Sequence, residues 1–322
     1  MSKSNPYFWS AACLMLLVLQ ACNSSTTPPP AKNDNRTDIG KDKVYKGELT
    51  VFADEGLKPV IQQQIDVFEY LYDSVKVNVK YVHEKEVIDS FRSKHAGVVV
   101  ITRDLDNREL EQMKATDTIY PREVLVSYDA VAIICKKQKE ELDLDYTGLK
   151  NLFSPEATGK VKLVFDHQDA STVSFVLQKL GYTGQPSKNV FALKSADEVV
   201  NYCSQNADAF GFIPYSLVSD VDDVKAQAIL KQVKILSLRA KNAQGEVVRV
   251  AANQSDIADG SYPLIRPVNA VLKYGHGDNL EWLFVNFMYK EKGARIFLKA
   301  GLIPARMPER EINVNTDAVS AQ

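Results

Sequence analysis

The sequence lacks the features of a metal centre or a nucleic-acid binder. It has only four cysteines and four histidines in 322 residues, with no C-x-x-C pair and no two histidines at metal-ligand spacing on one helix face. Its formal net charge is −2, whereas a nucleic-acid binder usually shows a basic face. A small anion stays open as a ligand, because backbone N–H groups and hydroxyls can hold a buried anion. We therefore expect no metal, no cofactor and no nucleic-acid partner.

A catalytic constellation is also missing. Asp166, His167, Asp169 and Ser171 lie close together in the chain, but closeness in sequence does not make a hydrolase triad. No G-x-S-x-G nucleophile elbow occurs. We therefore expect that the protein is not an enzyme.

The N-terminus differs from the rest of the chain. Residues 11–19 form an apolar run of nine residues, which is too short to span a bilayer as a helix. Leu19-Gln20-Ala21-Cys22 and a polar, Pro-rich run follow. This order predicts a lipoprotein signal peptide over 1–21, lipidation at Cys22 and a disordered tether over 22–45. The alternative is a buried helix that ends in cysteine. A lipid-anchored body would lie in the cell envelope, facing the periplasm or, in a host with one membrane, the outside.

Two cysteines remain for the folded part. Cys135 lies in an apolar, strand-like run and Cys203 in a helix-like one. We interpret both as small buried hydrophobes. Export would also permit a disulfide between them.

The first part of the body alternates strands and helices. Apolar spacing predicts strands over 48–53, 75–82 and 97–101, with helices over 57–71 and 85–93 between them. This β-α-β-α-β order indicates a mostly parallel sheet flanked by helices. The further predicted strands are 161–165, 209–213 and 233–238, and the further helices are 171–180, 195–205, 279–289 and 291–300.

Two segments are predicted to cross between lobes. Residues 123–135 form an apolar stretch longer than a normal strand, and 264–272 provides the return. The predicted fold class is α/β with two lobes, each a mostly parallel sheet flanked by helices. Because ligands of open α/β sheets bind beyond the carboxyl ends of the strands, we expect the ligand in the cleft between the lobes. The predicted limits are 46–125 plus 267–308 for lobe 1, 126–266 for lobe 2 and 309–322 for a C-terminal tail.

Three strand-to-helix junctions could supply donors to an anion. Helix N-termini carry unpaired N–H groups and the positive end of the helix dipole. Each junction could equally be an ordinary N-cap, since Asp, Ser and Thr are favoured there. The candidate ligand-binding residues are Gly56 and Leu57 at the first junction, Thr102 and Arg103 at the second, and His167, Ser171, Thr172 and Ser174 at the third.

Arg103 has two interpretations. It follows a buried strand directly, so its side chain could reach the cleft, where its fork of donors would match a tetrahedral oxyanion. It could instead form a salt bridge with Asp104, Asp106 or Glu109.

Six segments together resemble a known family over residues 47–305. The segments are Thr102-Arg103-Asp104-Leu105 with Glu109, Tyr128-Asp129-Ala130-Val131-Ala132, Leu149 to Phe153, Ala209 to Pro214, Gly260-Ser261-Tyr262-Pro263-Leu264-Ile265-Arg266, and Gly301-Leu302-Ile303-Pro304. In the same order, they resemble segments of the phosphate-binding proteins of ABC-type phosphate importers, which have the type II periplasmic-binding-protein fold.

The resemblance implies a monomeric receptor that closes around phosphate or a related oxyanion and docks on an ABC-type permease or another envelope protein. The chain departs from the family at its anion loop, which is close to R-x-D-G-S-G-T-S. His167 stands at the arginine position and Val173 at that of a threonine, while Ser171 and Ser174 match. Asp54 and Glu55 also place carboxylates where an anion should lie. The alternative function is an envelope sensor or scaffold with an eroded anion site.

Overall fold

The computed structural model describes residues 44–140, 142–157, 159–182, 187–241, 245–273 and 279–309. The predicted signal peptide, the lipidation site Cys22 and nearly all of the predicted tether and tail lie outside these ranges. Within the described residues, no helix has the length and apolar character needed to cross a membrane.

The described residues form twelve strands and ten α-helices, numbered here in chain order. The strands are β1 (Gly47–Asp54), β2 (Val75–Val82), β3 (Val98–Ile101), β4 (Arg122–Lys136), β5 (Lys162–Phe165), β6 (Val190–Ala192), β7 (Ala209–Pro214), β8 (Val233–Ile235), β9 (Leu238–Lys241), β10 (Val247–Val250), β11 (Ile265–Leu272) and β12 (Ile303–Pro304). The helices are α1 (Lys58–Leu71), α2 (Glu84–Arg92), α3 (Asn107–Ala115), α4 (Tyr146–Leu152), α5 (Ser171–Lys179), α6 (Ala196–Gln205), α7 (Val224–Gln232), α8 (Gln254–Ala258), α9 (Leu280–Tyr289) and α10 (Glu291–Lys299).

The predicted β-α-β-α-β order at the start of the body is confirmed. β1 pairs in parallel with β2 and with β3. All four residues of β3 are buried, as expected for a parallel strand covered by helices on both faces. The apolar stripe of α1, which includes Val60, Ile61 and Phe68, is buried against this sheet.

The two predicted crossovers are also confirmed. β4 is a single strand of 15 residues. Its first part pairs antiparallel with β11, and its second part pairs antiparallel with β7 and β8. β5 pairs in parallel with β6 and β7 to complete the second part of the sheet. Thus β4 and β11 carry the chain between two α/β halves.

The apolar core is divided in the same way. One cluster uses residues between Ala130 and Leu264 together with Ile303. Two others use residues between Leu49 and Val126 and between Val268 and Leu302. We call the half built on β1–β3 the first lobe and the half built on β5–β7 the second lobe. The residue limits given above for the two lobes stay a prediction.

The strand predicted over 233–238 is wrong in detail. It is two strands, because the Leu236 N–H bonds to the Ile133 carbonyl and Leu238 begins a separate antiparallel pair, β9 with β10. Sequence reasoning also missed α3 and α7. Asp106 and Glu109 form a capping box that starts α3, and the Asp223 side chain caps α7.

Cys135 and Cys203 are both buried and free, which confirms the interpretation as small hydrophobes. The bare Cα of Gly211 faces Cys203 and Ile134, since a Cβ there would lie 2.8 Å from each of these side chains. Cys135 follows Ile134 in β4, so its side chain points to the opposite face of the sheet. The two thiols are therefore not placed to form a disulfide.

Candidate functional site

Three loops meet where the lobes face each other. β1 and β3 are parallel neighbours, with Ala53 opposite Val100, so Asp54 and Thr102 leave the same edge of the first lobe. The loop that carries Asp166 and His167 follows β5 of the second lobe. The three predicted junctions therefore occupy one region between the lobes.

The first loop is pressed against the second lobe. The Gly56 N–H donates to Asp54 Oδ1 at 2.9 Å, and Ser216 Oγ donates to the Gly56 carbonyl at 2.6 Å. A Cβ on Gly56 would collide with the ring of Pro214, so glycine permits this approach. Asp54 is only 3% exposed, and its Oδ2 has no hydrogen-bond partner among the described residues. Oδ2 is therefore a buried acceptor without a donor. Leu57, the other predicted residue of this junction, is fully buried in the core of the first lobe.

At the second junction, Thr102 and Arg103 behave differently. Thr102 is 1% exposed, and its Oγ1 has no partner among the described residues. Arg103 donates to Glu84 at 2.7 Å and to both carboxylate oxygens of Glu109 at 2.7 Å. The salt-bridge interpretation of Arg103 therefore describes its present contacts, although with Glu84 as a second partner. Thr102 keeps unused hydrogen-bonding capacity.

The third junction is the N-terminus of α5. Ala170 precedes the helix, and no side chain caps it. Thr172 Oγ1 donates to Asp166 Oδ1 at 2.5 Å, and Ser174 Oγ donates to the Ser171 carbonyl at 3.2 Å, so both hydroxyl hydrogens are used inside the loop and helix. The Ser171 hydroxyl differs from these two because it accepts a hydrogen bond, from Arg266, and it is only 3% exposed.

Arg266 is the residue of this site that sequence reasoning missed. It is fully buried, and its Nε and Nη2 donate to Asp129 Oδ2 at 3.0 and 2.8 Å. Its Nη1 donates to Ser171 Oγ at 2.9 Å. Ser171 therefore accepts from Arg266 and keeps its own hydroxyl hydrogen for another acceptor. The sequence feature that could have revealed this pair is that both residues lie on the predicted crossover segments. In the structure, Arg266 of β11 lies directly opposite Asp129 of β4.

β11 ties the second and third junctions together. Arg266 holds Ser171, and three residues further on Asn269 donates to the Arg103 carbonyl at 3.0 Å and to Asp104 Oδ1 at 2.8 Å. One strand therefore carries a hydrogen bond to each of the two junctions.

Carboxyl groups dominate the charge of this region. Burial raises the pKa of Asp166, and the nearby charge of Asp54 adds to the shift. Burial also raises the pKa of Glu55 and of Glu84, with His83 opposing the shift at Glu55 and Arg103 opposing it at Glu84. The site therefore favours protonated carboxyls more than an exposed loop would.

Two histidines meet across the lobes. The rings of His83 and His167 stack with centroids 3.9 Å apart and planes 8° from parallel. His83 Nδ1 lies 3.0 Å from Glu55 Oε1, and the Asp169 N–H donates to His167 Nδ1 at 3.1 Å. No three His, Cys, Asp or Glu side chains in the described ranges are grouped to hold a metal ion.

Two α/β lobes, two crossing strands and polar loops that meet between them define a two-lobed binding protein of the type II periplasmic-binding-protein fold. A family model described as "PBP superfamily domain" matches residues 27–292, and the chain belongs to this family. No curated protein matches the sequence.

Several solved structures share the fold. One is a phosphate ABC transporter substrate-binding protein from Clostridium perfringens with bound phosphate, at 18% identity and a TM-score of 0.66, covering 81% of this chain and 100% of that one. An ABC-type phosphate transport receptor from Vibrio cholerae is 17% identical with a TM-score of 0.60, covering 80% and 100%. PstS from Borrelia burgdorferi is 17% identical with a TM-score of 0.52, covering 80% and 99%.

Proposed function

We propose that the protein captures phosphate or a similar oxyanion between its lobes for an ABC-type importer. The observation that carries the proposal is a set of buried donors without acceptors among the described residues: the Thr102 hydroxyl, the hydroxyl hydrogen of Ser171 and the N-terminus of α5, which no side chain caps. Buried polar groups are normally hydrogen-bonded, so such donors need a partner. A tetrahedral oxyanion would accept from all three, and β11 hydrogen-bonds to both junctions that carry the two hydroxyls.

Asp54 favours phosphate among the oxyanions. Its Oδ2 is a buried acceptor that needs a donor. Hydrogen phosphate carries a hydrogen that can be donated to this carboxylate, whereas sulfate at neutral pH carries none and would only be repelled. The phosphate bound in the Clostridium perfringens protein of the same fold supports this choice.

The cellular arrangement is part of the same proposal. A lipid on Cys22 would anchor the protein to a membrane, and the tether would let the body reach a permease. Binding proteins of this fold close around a ligand by a hinge motion, and β4 and β11 are the connections about which the lobes would move.

Calorimetric titration of phosphate, with sulfate as comparison, tests the proposal on residues 23–322. We expect micromolar or tighter phosphate binding, and at least a tenfold loss, about 1.4 kcal/mol, in both Thr102→Val and Ser171→Ala. Ser204→Ala is the matched control, because the Ser204 hydroxyl bonds within α6 on the surface. Absence of binding to any oxyanion by folded, ligand-free protein would reject the proposal in favour of the sensor or scaffold function.

Phosphate affinity should fall as the pH rises through the raised pKa of Asp166. Ionisation of this buried carboxyl adds a negative charge beside the anion, so the protonated form binds better. We expect a fall on the order of tenfold across the ionisation of this carboxyl, because one nearby charge contributes about 1 kcal/mol or more. Asp166→Asn keeps an acceptor for Thr172 and should flatten the profile.

The measurement is the ratio of phosphate dissociation constants for the unaltered protein and Asp166→Asn at each pH. The ionisation of phosphate itself cancels in this ratio. A ratio that does not change with pH would show that Asp166 does not titrate beside the ligand.

A further inference from the structure

The stacked histidines come from opposite lobes. His83 lies between β2 and α2 of the first lobe, and His167 lies between β5 and α5 of the second. At a centroid separation of 3.9 Å the rings are in van der Waals contact over their faces. The contact exists only while the lobes lie together, because each ring belongs to a different lobe.

Each ring is oriented by its own lobe. The His167 ring accepts at Nδ1 from the backbone N–H of Asp169 at 3.1 Å, and the backbone N–H of His167 donates to Asp166 Oδ1 at 3.2 Å. His83 faces the Glu55 carboxylate of its own lobe. Each ring therefore has its nearest polar neighbour within its own lobe.

Each histidine is only partly buried and is next in the chain to a buried residue of a junction. His167 follows Asp166, which accepts from Thr172, and His83 precedes Glu84, which accepts from Arg103. The His83 side chain is 28% exposed and that of Glu55 is 38% exposed, so the outer faces of this pair of loops reach water. The hydrogen bond from Ser216 to Gly56 joins the two lobes next to the first loop. The strands β4 and β11 connect the lobes covalently.

We propose that His83 and His167 form a roof that restricts the site to a free tetrahedral oxyanion and excludes phosphate esters. The inference rests on the proposed function. An ester must direct its carbon substituent out of the buried layer, and two rings in face-to-face contact leave no passage between them. Free phosphate has no substituent and can be enclosed completely.

Ligand selectivity is the first test. Inorganic phosphate and methyl phosphate are titrated into the unaltered protein, His83→Ala and His167→Ala. We expect the unaltered protein to bind phosphate at least tenfold more tightly than methyl phosphate, and each alanine variant to lose most of this difference. His83→Phe and His167→Phe keep a stacking ring and should keep the selectivity. Alanine variants that retain the full selectivity would overturn the roof.

A second test needs no ligand. Thr102→Cys places a thiol in the buried layer, and its labelling by a small methanethiosulfonate reagent is timed with and without His83→Ala. We expect labelling at least tenfold faster without the ring, with the slow rate retained in Thr102→Cys/His83→Phe. Protein without Thr102→Cys gives the background from Cys135 and Cys203, which are buried. Equal labelling rates would reject the roof, even if the protein binds no phosphate and the proposed function fails.

Discussion

Replacing Arg266 by methionine is expected to lower the free energy of unfolding by about 3–5 kcal/mol, because it leaves the Asp129 carboxylate buried without its charged partner. Burial already raises the pKa of Asp129, and Arg266 opposes that shift. Without Arg266 the carboxyl would be protonated more readily in the folded protein. The loss should therefore be largest at high pH and smaller when the pH falls. Urea unfolding at two pH values measures it.

The double variant Asp129→Asn/Arg266→Met is the control for this result. It removes both charges, and the asparagine oxygen can still accept from the Ser216 N–H, which donates to Asp129 Oδ1 at 3.0 Å. We expect the double variant to be more stable than Arg266→Met alone. A double variant as unstable as the single one would mean that Arg266 acts through packing and through Ser171 rather than through its charge pair.

Replacing Gly301 by alanine is expected to lower the free energy of unfolding by about 2–5 kcal/mol. Gly301 has φ of +84°, which is left-handed, and a Cβ there would collide with the carbonyl of Ser219 from the second lobe. Both the backbone conformation and the close approach therefore exclude a side chain.

Gly260→Ala separates these two causes. Gly260 has φ of +75°, but no atom lies within 4 Å of the position of its missing Cβ. It should lose only the conformational part, about 1–2 kcal/mol. Equal losses for Gly301→Ala and Gly260→Ala in urea unfolding would show that the contact of Gly301 with Ser219 contributes nothing.

Periodicity predicted the fold well wherever an element buries one continuous face. The burial of β2 and β3 follows from their sequences, which are alternating in β2 and wholly apolar in β3. The length of β4 alone indicated a crossover. The pattern failed where a short element depends on its partners. The segment 233–238 divides because its pairing changes from β4 to β10, and sequence spacing carries no sign of this change.

α3 was within reach of sequence reasoning. Asp106 and Glu109 have the spacing of a capping box, and the structure shows both of its hydrogen bonds. The same glutamate also pairs with Arg103, so one residue starts a helix and neutralises a neighbouring cation.

Prediction of the site was limited by long-range contacts. The three junctions lie where strand ends predict them, because β1, β3 and β5 place their carboxyl ends toward the other lobe. Arg266 and Asp129 are 137 positions apart in the chain, and only the register of β11 on β4 brings them together. The contact of His83 with His167 depends in addition on how the two lobes approach, which no local pattern encodes.

The position of β11 has a consequence for the order in which the chain can fold as it is made. β11 lies between β3 and β4 in the sheet, yet it is translated after every strand of the second lobe. Until residue 272 has emerged, β3 can pair with β1 but not with β11, so the sheet of the first lobe stays incomplete. The second lobe can assemble most of its own core before that point. Such late, non-local pairing is slow and leaves strand edges exposed. The part of the protein that is synthesised first is thus the part that is completed last.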